Sequence, residues 1–391
     1  MRGVCVLGAT GSVGRSTLDV LGRHPEQFRV EALTAHTDVQ GMEALIRQHQ
    51  PGLAVMADAQ AARQLAERTA DLPVRVLGGP EALAEAASLP EVDTVMAAIV
   101  GASGLPSTLV AAQAGKRLLL ATKEALVTAG ELLLRAVEEG GGSILPIDSE
   151  HNAIFQCLPA DSACGRAPAG VQRLILTASG GPFRDWTWEQ MQAATPAQAV
   201  AHPNWDMGRK ISVDSATMMN KGLELIEAAY LYAMPESAIE VLVHRQSIVH
   251  SLVQYQDGSF LAQLGSADMR IPIAHALLHP QRGESGAQTL DLAQIARLDF
   301  EAPDERRFPA LRLAREALRG GAHLPAVFNA ANEQAVDAFL DGRIGFTAIP
   351  AVVESVLESA AAWEASEQSL EAVLSVDARA RAAAQALEAR H

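Results

Sequence analysis

Five residues with polar or reactive side chains run from Asp148 to Asn152, directly after an apolar stretch that begins at Ser143. The apolar stretch is typical of a buried strand, and a buried strand carries carboxylates at its end when a cation or a ligand compensates them. If strand geometry continued, Asp148 and Glu150 would face one side and Ser149 the other. Two carboxylates on one face repel each other unless a cation lies between them. The stretch therefore predicts a cation site, and a solvated loop after the strand is the alternative.

A second group of polar residues lies between Ser215 and Glu227, in a segment that is expected to form one helix. Asn220, Glu224 and Glu227 are spaced by four and three residues, which places them on one helix face with Lys221 beside them. Lys221 and Glu224 alone could form an ordinary surface ion pair of small energetic value. Because the rest of the segment is largely apolar, we expect the polar side chains to point into a site.

A glycine-rich turn, from Gly8 to Gly14, follows the first apolar strand. Glycines permit a tight turn and let the backbone approach a pyrophosphate, whose charge is met by amides at the start of the next helix. The spacing is a variant of the usual fingerprint, and its place between a first strand and a first helix favours dinucleotide binding over a structural turn. After the second strand, Asp38 favours NAD, whereas His36 and Thr37 could hydrogen-bond the extra phosphate of NADP. The choice stays open.

Three further places carry polar groups at strand ends or in loops. Lys123 follows an apolar strand, where it can reach the crevice beyond the carboxyl ends of a parallel sheet. Ser179 opens a turn with two glycines, which is typical of an anion-binding nest or of a plain turn. The loop 202–208 contains His202 and Trp205 between Pro203 and Gly208, and it indicates either a lid over a ligand or a loop whose Trp packs into the core.

The elements that must position these residues fall into three parts. From residue 3 to 147, apolar β-rich runs alternate with helix-length amphipathic segments, which predicts a parallel sheet with helices on both faces. The runs are Val4–Leu7, Phe28–Leu33, Leu53–Met56, Val74–Leu77, Thr94–Val100, Arg117–Ala121 and Ser143–Ile147. Next come a strand at Arg173–Thr177 and a hairpin of Ser247–Tyr255 with Ser259–Leu264. The last part is helical, with amphipathic segments at Pro309–Arg319, Ala326–Leu340, Pro350–Ala361 and Gln368–Ala389.

The fold class expected is α/β, with a Rossmann-type parallel sheet, a central α+β region and a terminal helical bundle. We predict an NAD(P)-binding domain over residues 1–147 and a catalytic domain over 148–290 that includes the lid loop 202–208. A linker and the helical bundle would occupy residues 291–391. A chain of 391 residues is long enough for several domains.

Composition excludes some classes of partner. Hydrophobic residues make up 49% and charged residues 20% of the chain, which is typical of a globular protein. The net charge of −15 and the lack of a basic stripe argue against nucleic acid as a partner. No apolar run has the length of a membrane span. Three cysteines, and an N-terminus that leads directly into a strand, favour a reduced, cytoplasmic protein.

Six motifs together resemble the 1-deoxy-D-xylulose 5-phosphate reductoisomerase family. In chain order they are GATGSVG, ATKEAL, PIDSEHNAIFQ, TASGGPFR, HPNWDMG and VDSATMMNKGLELIEA. The resemblance runs through the terminal helices, and PIDSEHNAIFQ and MNKGLE are its most specific parts. It implies that a ketose phosphate is isomerised to a branched aldehyde, which NADPH reduces to 2-C-methyl-D-erythritol 4-phosphate in the non-mevalonate isoprenoid pathway. It also implies Mg²⁺ or Mn²⁺, a homodimer and a small sugar-phosphate substrate.

The resemblance assigns roles to individual residues. It implies metal binding by Asp148, Glu150 and Glu224, an all-oxygen set that suits a hard cation, with Lys123 as a fourth catalytic residue. Substrate contacts are implied for Lys123, Ser149, Glu150, Ser179, His202, Trp205, Met207, Ser215, Asn220, Lys221 and Glu224. Cofactor contacts are implied for Gly8, Thr10, Gly11, Ser12, Val13, His36, Thr37, Asp38, Thr122, Glu124 and Gly208.

The chain departs from the family pattern at three places. Thr122 stands where Asn is usual, and Ala178 stands where Gly is common. The sequence His36-Thr37-Asp38 lacks the Gly-basic-Asn pattern often found after the second strand. NADPH remains the expected cofactor, although NAD is less excluded than is usual for the family. The alternatives are another NAD(P)-dependent dehydrogenase of a small phosphorylated substrate and a dinucleotide-sensing binding protein.

Overall fold

The computed structural model describes residues 1–203, 205, 207–363 and 369–388. The chain forms two compact units. The first consists of Met1–Ala125, Leu133–Asn152 and Asp268–Gln288, and the second of Leu126–Leu132, Ala153–Ala267 and Thr289–His391. Among the described residues, no helix combines the length and the hydropathy needed to cross a membrane.

The first unit is built on a sheet of seven parallel strands. The strands are β1 Arg2–Leu7, β2 Phe28–Ala35, β3 Leu53–Met56, β4 Arg75–Gly78, β5 Thr94–Ala97, β6 Arg117–Leu120 and β7 Ser143–Pro146. Their order in the sheet is β4-β3-β2-β1-β5-β6-β7. All seven predicted strands are confirmed, although β5 ends before Val100, whose side chain is exposed. The strand order reverses at β1, and ligands bind beyond the carboxyl ends of the strands at such a point.

The helices of the chain are numbered in sequence order. They are α1 Ser12–Arg23, α2 Val39–His49, α3 Ala59–Arg68, α4 Glu81–Ser88, α5 Leu105–Gln113, α6 Lys123–Gly140, α7 Ser149–Cys157, α8 Trp188–Gln192, α9 Pro196–Ala199, α10 Arg209–Thr217, α11 Met219–Leu231, α12 Arg270–Leu278, α13 Leu292–Ile295, α14 Ala310–Gly320, α15 Leu324–Leu340, α16 Ala348–Ala360 and α17 Leu370–Glu388. The four terminal segments predicted to be helical are α14 to α17, and their apolar faces pack together around α15.

The second unit contains a sheet of four strands in the order β11-β10-β8-β9. The strands are β8 Val171–Ala178, β9 Ile239–Val243, β10 Val249–Tyr255 and β11 Phe260–Leu264. The predicted hairpin is confirmed as β10 and β11. Strand β9, which pairs parallel to β8, was not predicted. Strand β11 lies at the edge of the sheet, and the side chains of Phe260 and Leu261 on it are 52% and 50% exposed.

The prediction of one helix from Ser215 to Glu227 is wrong. Met218 adopts a φ of 64°, in the left-handed region that commonly ends a helix. Helix α10 therefore ends at Thr217, and α11 begins at Met219. As a result Ser215 lies in the last turn of one helix, and Asn220 lies in the first turn of another.

Candidate active site

The glycine-rich turn has the geometry expected of a dinucleotide-binding turn. The Gly11 amide donates to the Gly8 carbonyl at 3.1 Å, and α1 begins at Ser12. A Cβ on Gly14 would lie 2.4 Å from the Gly8 carbonyl oxygen, so a side chain there would push α1 away from β1. The predicted residues from Thr10 to Val13 are at least partly accessible at the start of this helix, where amide groups favour an anion.

Asp38, which follows β2, also has a structural role that its local sequence does not reveal. Its carboxylate accepts a hydrogen bond of 2.8 Å from the Gly41 amide and so caps the N-terminus of α2. Arg15 of α1 lies beside it, with 3.6 Å between its Nη2 and the Asp38 carboxylate. The Arg15 Nε donates to the Thr10 carbonyl at 3.0 Å. The fold therefore places a cation beside Asp38, which directly follows the exposed His36 and Thr37, at a point where the local sequence has no basic residue.

The acidic stretch leads into a helix and does not continue the strand. The expectation that Asp148 and Glu150 face one side of a strand, with Ser149 on the other, is therefore wrong. Strand β7 ends at Pro146, and α7 begins at Ser149, so Asp148 lies at the junction. The Asn152 amide donates to the Asp148 carbonyl at 2.8 Å in the first helical turn. The carboxylate oxygens of Asp148 and Glu150 still lie within 4.8 Å of each other. The helix start, rather than the pleat of a strand, brings the two acids together.

Lys123 and His151 surround the carboxylate of Asp148. The Lys123 Nζ lies 2.8 Å from Asp148 Oδ2, and the His151 Nδ1 lies 3.5 Å from the same oxygen. Burial alone would raise the pKa of Asp148, but the Lys123 ammonium and the His151 ring outweigh burial and hold that pKa well below its ordinary value. Asp148 is therefore an anion at neutral pH. The Ser149 hydroxyl, next to it, donates to the Glu150 carboxylate at 2.5 Å.

Thr122 is buried at the start of α6, just before Lys123. Its hydroxyl lies 3.2 Å from the Ala97 carbonyl and 3.0 Å from the Ile99 carbonyl. These contacts hold the start of α6 against the end of β5, and they fix the position of Lys123, the first residue of α6. Glu124, in the first turn of α6, is also buried.

In the second unit, Lys221 and Glu224 form an ion pair on α11 whose side chains are 4% and 1% exposed. The alternative of an ordinary surface ion pair is therefore wrong. The Asn220 amide donates to the other Glu224 oxygen at 2.5 Å, and Glu227, one turn further, is fully buried. Buried charges of this kind are costly unless they are paired or hold a ligand, and so the face predicted from spacing is a polar face inside the protein.

In the second unit, the Ser179 turn contacts His202 of the predicted lid. The Ser179 Oγ lies 2.8 Å from His202 Nε2 and accepts a hydrogen bond of 3.1 Å from the Gly181 amide. The Trp205 amide donates to His202 Nδ1 at 2.9 Å. Gly181 has a φ of +69°, and a Cβ on it would lie 2.6 Å from the Ser215 carbonyl oxygen, so the turn packs against the last turn of α10.

The rest of the predicted lid is described in part. Trp205 and Met207 are half-buried, and the Trp205 ring lies 6.2 Å from the His250 ring. Gly208 is exposed at the N-terminus of α10, and its carbonyl accepts a hydrogen bond of 3.0 Å from the Ser212 hydroxyl. Asn204 and Asp206 of the lid prediction lie outside the described residues.

The donor sets of the two units fit the groups expected. Asp148 and Glu150 in the first unit, and Glu224 in the second, offer carboxylate oxygens, which hard divalent cations prefer. The glycine turn and the strand order of the first unit fit a dinucleotide. A parallel sheet with such a turn at its reversal point, together with an acidic cluster at the carboxyl end of β7, defines the class of NAD(P)-dependent oxidoreductases.

Comparison with known proteins identifies the family within that class. A family model described as 1-deoxy-D-xylulose 5-phosphate reductoisomerase matches residues 4–130, and models of the C-terminal domains match residues 144–232 and 264–383. The 1-deoxy-D-xylulose 5-phosphate reductoisomerase of Ectopseudomonas mendocina (strain ymp) is 59% identical over 392 residues, which cover 99% of this chain and 98% of the relative. The chain belongs to the 1-deoxy-D-xylulose 5-phosphate reductoisomerase family, as its motifs predict.

Solved structures agree with this membership. A crystal structure of DOX-P reductoisomerase in complex with NADPH, fosmidomycin and magnesium has a TM-score of 0.93 and 46% identity, and the match covers 99% of this chain and 98% of that one. The Zymomonas mobilis 1-deoxy-D-xylulose 5-phosphate reductoisomerase in complex with NADPH has a TM-score of 0.92 and 49% identity, with 99% of both chains covered. The predicted fold class is confirmed.

Proposed function

We propose that this chain isomerises 1-deoxy-D-xylulose 5-phosphate and reduces the product with NADPH to 2-C-methyl-D-erythritol 4-phosphate, using Mg²⁺ or Mn²⁺. Family membership over nearly the whole chain supports this reaction. The observation that carries it is the Lys123–Asp148 ion pair beside Glu150, with side chains only 8% and 15% exposed, in the unit that also holds the dinucleotide turn. A simple dehydrogenase has no need of a second carboxylate at that place.

The metal ligands we propose are Asp148, Glu150 and Glu224. A bound divalent cation would polarise the substrate carbonyl and stabilise the negative charge that develops as a C–C bond breaks and re-forms. The chain's own contribution at this place is to keep Asp148 ionised, because Lys123 and His151 hold its pKa low. Lys123 and Ser149, beside the two acids, would hold the oxygens of the substrate. The related crystal structure with magnesium supports the choice of cation.

The phosphate site we propose is lined by groups of the second unit. They are Ser179, His202, Ser215, Asn220 and Lys221, of which Ser179 contacts His202 and Ser215 lies where the turn packs on α10. Trp205 and Met207 would close over the carbon chain and exclude water, which strengthens the electrostatic contacts inside.

The cofactor site we propose has the NADPH pyrophosphate on the turn formed by Gly8 and residues 10–13. Arg15 would bind the 2′-phosphate of NADPH, with His36 and Thr37 as hydrogen-bonding neighbours. Asp38 caps α2 with its carboxylate, a use that competes with binding of the ribose hydroxyls of NAD. Thr122, Glu124 and Gly208 would line the nicotinamide side.

The proposal also includes a homodimer, a cytoplasmic location and a division into the domains 1–147, 148–290 and 291–391. The exposed edge strand β11, with Phe260 and Leu261, supports a dimer, because an uncovered apolar edge is a ready template for a second strand. The three cysteines form no disulfide with one another, which suits a reducing compartment.

The metal requirement tests the proposal against the simpler dehydrogenase. We expect the purified chain to oxidise NADPH only when both 1-deoxy-D-xylulose 5-phosphate and a divalent cation are present. Adding EDTA should abolish turnover, and an excess of Mg²⁺ or Mn²⁺ should restore it. NADPH binding, followed by its fluorescence, should survive EDTA and serves as the control for folding. Full turnover in metal-free buffer would favour the simpler dehydrogenase.

A further inference from the structure

Behind the Ser179 turn, the second unit has a pocket of about 300 Å³ that is lined by three arginines. Arg245 makes two hydrogen bonds of 2.9 Å with Asp185 and two more, of 2.7 and 3.1 Å, with Glu301. Arg307 pairs with an acidic neighbour of its own at 2.8 Å. Arg184 is used differently. Its Nη1 donates to the Ser179 carbonyl at 3.0 Å, while its Nε is 3.6 Å from Asp185. Arg184 therefore holds the turn that carries Ser179.

The hydrogen bonds on the other side of the turn have a defined direction. The Trp205 amide can only donate, so His202 Nδ1 is the acceptor and carries no proton. In the neutral ring the proton is then on Nε2, which donates to the Ser179 Oγ. The Gly181 amide donates to the same oxygen. With both acceptor positions of its oxygen occupied, Ser179 offers its own proton to a ligand, and the oxygens of a phosphate dianion accept such a proton.

The hydrogen bond from the Trp205 amide depends on the charge of His202, whereas Nε2 donates to Ser179 in both protonation states of the ring. Burial, followed by the positive charge of Arg184, lowers the pKa of His202 below its ordinary value. A second proton would sit on Nδ1 and abolish the hydrogen bond from Trp205. Among the described residues, the charged or titratable groups near this loop include Arg184, its neighbour Asp185, and His250. The His250 ring lies 6.2 Å from the Trp205 ring, and its Nε2 lies 3.2 Å from the Gly265 carbonyl.

We propose that Arg184 is a positioning residue of the phosphate site: it holds the Ser179 turn from behind and, through its charge, favours the hydrogen bond from Trp205 to His202 Nδ1, so that Ser179 and His202 are both in place for the substrate phosphate. The proposal rests on the assignment of this site to the phosphate. Arg184 acts through Ser179 and His202, and its effect should appear in substrate affinity and in the pH profile rather than in the chemical step.

Three variants of Arg184 separate its hydrogen bond from its charge. R184M removes both, R184Q keeps a donor without charge, and R184K keeps the charge. We expect R184M to raise the KM for 1-deoxy-D-xylulose 5-phosphate about tenfold with little change in kcat, the usual size for loss of one charge-assisted hydrogen bond. At low pH kcat/KM should fall as His202 becomes protonated, and we call this part of the pH profile the acid limb. In R184M and R184Q the acid limb should move to higher pH, because the pKa of His202 rises when the positive charge of Arg184 is removed. In R184K, which retains a positive charge, the acid limb should lie at the same pH as in the parent chain.

R245M is the matched control, because Arg245 lines the same pocket but pairs with Asp185 and Glu301. It should shift neither KM nor the acid limb. If KM rises in both R184M and R184Q but the acid limb stays at the same pH, the proposal is overturned, because a loss of packing alone would give that result. An equal shift in R245M would overturn it as well.

Titration of the His202 ring by NMR, without substrate, tests the same point independently of turnover. The pKa of His202 should be higher in R184Q than in the parent chain and unchanged in R245M; equal values in all three would contradict the role of Arg184. If the parent chain showed no turnover of 1-deoxy-D-xylulose 5-phosphate, the proposed function would fail, whereas this titration would still decide the role of Arg184.

Discussion

Removing the charge of Glu224 should lower both turnover and the free energy of unfolding, and a second substitution at Lys221 should separate the two effects. Lys221 and Glu224 form an ion pair with side chains that are 4% and 1% exposed, so E224Q leaves an ammonium in a site with almost no water. Breaking a buried pair from one side costs about 3–5 kcal/mol of the free energy of unfolding. Because the Gln oxygen can still accept from Lys221, we expect a loss near the lower end, about 3 kcal/mol. We also expect turnover to be abolished, since Glu224 is a proposed metal ligand.

The double variant K221M/E224Q tests the electrostatic part of this reasoning. Met has a similar length and no charge, and replacing a buried ion pair by groups without charge is often neutral for stability. We therefore expect the double variant to recover most of the lost free energy of unfolding while it remains inactive. The matched control is E316Q, which removes the charge of an exposed i,i+4 pair with Arg312 and should change the stability by less than about 0.5 kcal/mol.

Urea denaturation followed by circular dichroism measures the stability, and oxidation of NADPH measures turnover. NADPH binding should be nearly unchanged in E224Q, because Glu224 belongs to the substrate and metal groups. Parent-like stability of E224Q would refute the argument from buried charge. Recovery of turnover in the double variant would refute the role of Glu224 as a metal ligand, and a large loss of NADPH affinity would refute the separation of the two sites.

Two further predictions concern the cofactor and the assembly. R15M should weaken the binding of NADPH about tenfold and leave NADH binding unchanged, because only NADPH has the 2′-phosphate that Arg15 would bind. A fluorescence titration measures both affinities, and R23M, a substitution on the same helix, is the control. Equal losses of affinity for both cofactors would disprove the role of Arg15. Replacing Phe260 and Leu261 on β11 by Asp should convert a dimer to a monomer in analytical ultracentrifugation; an unchanged sedimentation coefficient would place the dimer contact elsewhere.

The sequence alone was sufficient for the features that depend on neighbouring residues. Buried parallel strands need continuous apolar runs, and all seven strands of the first sheet were found from such runs. Spacing by three and four residues correctly put Asn220 and Glu224 on one face. The motifs also gave the family, because each preserves a short stretch of chemistry in order along the chain.

The tertiary structure decided what depends on contacts between distant residues. The left-handed Met218 breaks a pattern that reads as one helix, and Arg15 reaches Asp38 only because α1 and the end of β2 lie side by side. The burial of Lys221 with Glu224 and the bond from Arg184 to Ser179 follow in the same way from packing. Local sequence sets which residues face one side of an element, whereas solvent exposure and charge partners depend on what the rest of the chain places against that side.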